Sequence, residues 1–209
     1  NIAFLAGDPN GIGPELAAKL LSRPANLQAA NVIVYAHPAT LAEGERVSGL
    51  KVPAARAGQL RMVTPDSGEL SLTPGTATDS GGRAALAALE AATAAAVRGE
   101  VDGIVFAPLN KHALRLAGMT HEDELRLMQE RFGVDGFVSE FNIAGALWTS
   151  RVTSHVPLRD VADAITQEGV IEAVKIVHRY LVAAGVAKPR VAVAALNPHA
   201  GDGGSLGRE

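Results

Sequence analysis

Apolar positions in this chain come in short solid runs separated by longer mixed stretches. Residues 2–6, 31–36, 103–107 and 190–196 are runs of about five to seven mostly apolar residues, each bounded by Gly, Pro, Asn or Asp. Runs of that kind suit strands buried on both faces, as in a parallel sheet. Between them the apolar positions recur at helical spacing. The pattern predicts helices from Pro14 to about Ser22, from Pro38 to about Val47, and from Asp79 or Ser80 to about Arg98. It predicts further helical segments over 121–132, 158–165 and 168–184. Pro14 and Glu15 are start signals for the first helix, and Gly99 is a stop signal for the alanine-rich third. Residues 48–75 read as loops with short strands. Residues 136–143 and 146–152 read as a hairpin turning at Ala144-Gly145. Alternating strand, loop and helix point to an α/β fold with a largely parallel sheet and helices on both faces.

Composition narrows the partners. The 209 residues include 47% hydrophobic ones, enough for one large domain or two small ones; the division expected is 1–115 and 116–209. A net charge of -3 with no basic run argues against nucleic acid or an anionic membrane. With no cysteine, disulfides, thiolate metal sites and cysteine nucleophiles are excluded. No apolar run approaches membrane-spanning length and no signal peptide is visible, so a cytoplasmic setting is expected. The chain opens inside a strand-like run and closes in a glycine loop, and it reads as cut at both ends.

The strand ends carry the candidate chemistry. Residues 7–13, Gly-Asp-Pro-Asn-Gly-Ile-Gly, join a strand to a helix start, where free backbone N–H groups can hold an anion. They are not a dinucleotide fingerprint, because Leu16 stands where its third glycine belongs. Lys111 ends the exit loop of the 103–107 run and can bind an anionic group or polarise a hydroxyl; a solvated lysine is the plain alternative. His155 and His199 each follow a strand-like run beside or near a proline, 44 residues apart. Strand ends of a β-α-β unit can lie side by side, and two imidazoles there suit zinc, cobalt or nickel, given a third ligand. Two separate, independently bonded histidines fit the spacing equally well. His121-Glu122-Asp123-Glu124 sits at a helix start, where acids complement the helix dipole. His37 reads as a capping or surface residue, His112 and His178 as structural. Asp160 and Asp163 read as helix-start acids or partners of a metal-bound imidazole.

Four segments together resemble the 4-hydroxythreonine-4-phosphate dehydrogenase family of vitamin B6 biosynthesis. They are residues 7–15, 107–111 (Ala-Pro-Leu-Asn-Lys), 153–160 (Thr-Ser-His-Val-Pro-Leu-Arg-Asp) and 197–204 (Asn-Pro-His-Ala-Gly-Asp-Gly-Gly). The resemblance implies a two-domain isocitrate/isopropylmalate-dehydrogenase-like fold, a homodimer, and an active site between domains. It implies that His155 and His199 are two of three histidine metal ligands. The third ligand, and most of the NAD or NADP contacts, are expected beyond Glu209. It also implies that Lys111 is catalytic and that Lys111, His121 and Glu122 meet substrate. The metal is expected to be Zn, Co, Ni or Mg.

One departure bears on the substrate. The family has Gly-His-Thr-Glu where this chain reads Gly118-Met119-Thr120-His121-Glu122, so Glu122 replaces the threonine. Added negative charge beside a phosphate is unfavourable. The expected reaction is NAD(P)-linked oxidation of 4-phosphohydroxy-L-threonine with decarboxylation. The alternatives are a phosphorylated sugar acid, an unphosphorylated cis-diol, or a non-catalytic fragment that only dimerises or binds ligand.

Overall fold

The computed structural model describes residues 1–55, 58–154 and 156–208. They form two compact units, Asn1–Val134 and Asp135–Glu209.

The first unit is built on a four-stranded parallel sheet. Its strands are β1 (Ile2–Leu5), β2 (Val32–Tyr35), β3 (Leu60–Val63) and β4 (Gly103–Phe106), in the spatial order β3-β2-β1-β4. Alternate side chains of a strand point to opposite faces, and the core divides accordingly. Phe4, Ala6, Val32, Val34 and Ala36 pack on one face with Ala17, Leu21 and Leu41. These last come from α1 (Gly13–Leu21) and α3 (Pro38–Ser48); a short α2 (Pro24–Ala29), which the sequence pattern did not suggest, lies between them. Ala3, Leu5, Ile33 and Tyr35 pack on the other face with Ala85, Ala88, Leu89, Ala92 and Ala95. Those belong to α4 (Asp79–Val97), with Leu114 from α5 (Lys111–Leu116) and Leu127 from α6 (Glu124–Arg131) beneath the same layer. The small stripe at 85, 88, 92 and 95 lets α4 lie close to the sheet. Gly44 and Gly82 bring helices into contact: a Cβ at Gly44 would fall on the Pro14 carbonyl oxygen, and one at Gly82 on that of Ala113.

Two strand expectations are corrected. The 103–107 run is a strand, but an edge strand rather than a buried one, with Val105 46% and Phe106 41% exposed. The strand order places it at the end of the sheet, and among the described residues nothing pairs with its outer side. The 190–196 run forms no strand. Val191, Val193 and Leu196 are exposed, and among the described residues no neighbouring strand offers a ladder to their amides. A buried parallel strand needs neighbours on both edges, which an apolar sequence cannot supply by itself.

The second unit holds a short hairpin, β5 (Asn142–Ala144) with β6 (Leu147–Thr149), narrower than the pattern predicted. After it come a 3₁₀ turn (Leu158–Asp160), α7 (Val161–Ala164) and α8 (Gln167–Ala183). Phe141 joins hairpin to helix, its ring 5.7 Å from both Trp148 and Tyr180. Among the described residues no helix is long and apolar enough to cross a membrane.

Candidate active site at the carboxyl ends of the strands

The chain leaves β1 for β2 on one side and returns through β4 on the other, so the strand order reverses between β1 and β4. Open α/β sheets bind ligands at such a reversal, beyond the carboxyl ends of the strands. The two loops that start there are residues 7–13, after β1, and 107–110, after β4.

These loops are joined to each other. The Asp8 N–H donates to the Pro108 carbonyl at 3.0 Å. Gly7 has φ 75°, and a Cβ there would meet the carbonyls of Ala107 and Pro108, so only glycine fits. The anion-cradle expectation for residues 7–13 takes a different form. Asp8 is buried, its Oδ1 accepts the Asn10 N–H at 3.0 Å, and its carbonyl accepts Gly11 N–H at 3.1 Å. These amides are turned inward, onto Asp8 itself.

Asn10 is 3% exposed and ties the loop to α4. Its Oδ1 accepts the Thr73 N–H at 2.7 Å, its Nδ2 donates to Thr78 Oγ1 at 2.9 Å, and its carbonyl accepts Gly75 N–H at 2.8 Å. Thr78 Oγ1 in turn accepts the Gly81 N–H at 3.1 Å and caps α4. Sequence reasoning passed over both residues, because it read this loop for its glycines.

Asn110 caps α5, its Oδ1 accepting the N–H groups of His112 and Ala113 at 3.0 and 3.1 Å. That cap fixes the backbone at Lys111, whose side chain is exposed and bonded to none of the described residues. A lone ammonium thus stands directly after the β4 loop. His112 lies in α5 and His178 in α8, both in helices as expected. His37 caps α3, its Nδ1 accepting the Ala39 N–H at 3.2 Å.

In the helix-start cluster the roles separate. Asp123 is buried and caps α6, accepting the Arg126 N–H at 3.0 Å. Glu122 is exposed. His121 is mostly buried, and its Nε2 lies 2.8 Å from Glu130 Oε2. Glu130 Oε1 accepts Arg131 Nη1 at 3.0 Å, and Arg131 reaches Glu90 of α4 with two bonds of 2.9 and 3.0 Å. The His121 bond, and next the charge of that ring, hold the Glu130 carboxyl below the usual glutamate range. Nothing in the spacing from 121 to 130 signals this pair.

In the second unit His199 lies in a turn, Pro198–Gly204, whose backbone is left-handed over five residues. His199, Ala200 and Asp202 have φ of 53°, 50° and 45°, and Gly201 and Gly203 share the region. Left-handed backbone costs a non-glycine residue about 1–2 kcal/mol. The glycines at 201 and 203 keep the total down, and Ser205 Oγ donates to the Asp202 carbonyl at 2.8 Å. The His199 ring is exposed and bonded to none of the described residues. His155 lies outside the described residues. Asp160 and Asp163 sit at the 3₁₀ turn and in α7. Among the described residues no three His, Cys, Asp or Glu side chains cluster as a metal site.

Comparison with known proteins returns dehydrogenases of more than one substrate. The model of the family described as "Pyridoxal phosphate biosynthetic protein PdxA" matches residues 18–209. A relative from Pseudomonas aeruginosa, provisionally named 4-hydroxythreonine-4-phosphate dehydrogenase 2, is 41% identical over 219 residues, covering all of this chain and 65% of its own. The crystal structure of 4-hydroxythreonine-4-phosphate dehydrogenase from Klebsiella pneumoniae is 30% identical with a TM-score of 0.78, over 99% of this chain and 65% of that one. A terephthalate 1,2-cis-dihydrodiol dehydrogenase from Burkholderia xenovorans is 27% identical with a TM-score of 0.63, over the same shares. The chain thus spans about 65% of the length of the relatives it matches.

Proposed function

The chain belongs to the PdxA family, and from that premise we propose that it is part of a metal-dependent, NAD(P)-linked dehydrogenase of a small hydroxy acid. The substrate proposed first is 4-phosphohydroxy-L-threonine, oxidised and then decarboxylated in pyridoxine biosynthesis by a cytoplasmic homodimer. The observation that carries the reading is the placement of Lys111. An exposed ammonium, unpaired among the described residues, follows the loop at the strand-order reversal, where this sheet type takes its ligands.

Lys111 binds an anionic group of the substrate and favours its hydroxyl as the alkoxide. His121 and Glu122 contact the substrate. The donor chemistry of His155 and His199 fits a divalent cation of the Zn, Co, Ni or Mg kind, and the His199 ring is exposed and unbonded to the described residues. Held there, such a cation would supply Lewis acidity to the substrate hydroxyl, and NAD or NADP would supply the hydride acceptor. Asp8 and Asn10 hold the β1 loop in place.

A second reading has its own support. Glu122 is exposed beside His121, and negative charge there disfavours a phosphate. A phosphorylated sugar acid bound in another orientation, or an unphosphorylated cis-diol, then becomes the substrate. Steady-state rates on 4-phosphohydroxy-L-threonine, a phosphorylated threonate and a cyclic cis-diol, each with NAD and with NADP, decide between the readings. High efficiency on the first would show that Glu122 faces away from the phosphate and support the first reading; weak use of it relative to the other two is the outcome the second reading predicts. Turnover unaffected by exhaustive chelation would remove the metal from the mechanism, and full turnover by Lys111→Ala would remove Lys111.

A further inference from the structure

We propose that Glu130 is a positioning residue for His121: it fixes the imidazole as the Nε2–H tautomer and leaves Nδ1 as the atom that meets the substrate. The inference rests on the reading of His121 as a substrate contact and adds to it which ring nitrogen does the work, and why.

The geometry leaves one arrangement. His121 Nε2 and Glu130 Oε2 are 2.8 Å apart. Glu130 is held as a carboxylate by His121 and by the Arg131 guanidinium on its other oxygen. A carboxylate only accepts, so the proton of this bond must sit on Nε2. Nδ1 is then the free nitrogen in both charge states. With a neutral ring it accepts from a substrate hydroxyl; with a charged ring it donates to a carboxylate or phosphate oxygen.

Glu130 is itself held in place. Arg131 spans from Glu130 to Glu90, so the orientation of the carboxylate is tied to α4, on which α6 packs. His121 precedes α6 by three residues and needs such a brace, since its own backbone lies in a bend. The remaining charged groups nearby are occupied or turned outward. Asp123 caps α6, Arg126 bonds Gln129 at 2.7 Å, and Glu122 is exposed. Glu130 side chains are 60% exposed to solvent, so the effect is on orientation and tautomer far more than on stability.

The test is long-range ¹H–¹⁵N spectroscopy of the imidazoles in the ¹⁵N-labelled chain, with the His121 signals assigned by His121→Gln. The expected result is a fixed Nε2–H tautomer, with the two ring nitrogens widely separated in shift above the titration of the ring. In Glu130→Ala the two shifts should move toward each other as the second tautomer becomes populated. An Nδ1–H tautomer in the parent chain, or ring shifts unmoved by Glu130→Ala, would overturn the proposal. In an active enzyme, Glu130→Ala should raise KM about five- to tenfold, the loss of one aligned hydrogen bond, with a smaller change in kcat. If His121→Ala leaves KM unchanged, the substrate-contact reading fails while the tautomer result stands on its own.

Discussion

Asn10 is the residue on which most of the first unit's loop architecture depends. It uses both ends of its amide and its carbonyl, all in a buried place, to join the β1 loop to the segment that caps α4. Replacing it with alanine strands the Thr73 N–H and one acceptor of Thr78. Each orphaned buried group costs about 1–3 kcal/mol. Asn10→Ala should therefore lower the urea midpoint of the first unit by an amount equivalent to about 2–4 kcal/mol, which an equilibrium denaturation curve reads directly. Gly44 makes a similar test by different means. A methyl group at Gly44 has no room against Pro14, and pushing α1 and α3 apart should cost about 1–3 kcal/mol in the same measurement. Residues of this kind are hard to see from the sequence. A glycine in a loop announces a turn, but an asparagine's partners at positions 73 and 78 exist only after folding. The same holds for His121 and Glu130: both stood in a charged stretch, and the contact that selects them comes from the bend ahead of α6.

The elements themselves follow the sequence closely where local chemistry decides them. Pro14, Pro38 and Gly99 set helix ends within a residue or so, because fixed φ, a missing N–H and a left-handed stop act without tertiary help. Thr78 caps α4 as Ser, Thr, Asn and Asp do elsewhere, and Thr78→Ala should reduce stability by about 1 kcal/mol. Because Thr78 also receives Asn10, the double variant should lose less than the sum of the single losses, a coupling that a double-mutant cycle measures. The strands were less fully determined. Whether an apolar run is buried or lies at an edge depends on how many strands stand beside it, and periodicity carries no count of neighbours. So 103–107 is a strand on the rim of its sheet, and 190–196, equally apolar, has no ladder among the described residues.

For the whole molecule, pH offers a simple check. Glu43, Glu45, Glu100 and Glu130 are all held below the ordinary glutamate range, the first three by bonds to Arg46, Lys51 and Arg98 and the last by His121. Depressed carboxylates contribute stability that is complete above their unfolded value of about 4.3 and is lost as pH falls through their lower folded values. The melting temperature should thus be flat in this respect from neutral pH to about 5 and fall steadily below it. Glu100 and Glu130 are exposed while Glu43 and Glu45 are half-buried, so high salt should shrink the share of the slope that comes from the first two more than the rest. The strand order has a further consequence, in time. β1 is one of the two inner strands and the first of the four to be made, yet its neighbour β4 lies about a hundred residues later. At roughly 5–20 residues per second, the ribosome delivers β4 some 5–20 s after β1. β1 and β2 can pair early, but the other edge of β1 waits for α4 and β4, and pairing across so long a separation is slow. The reversal of strand order that opens a place for a ligand is also where this sheet closes last. The newborn chain carries a bare central edge until then.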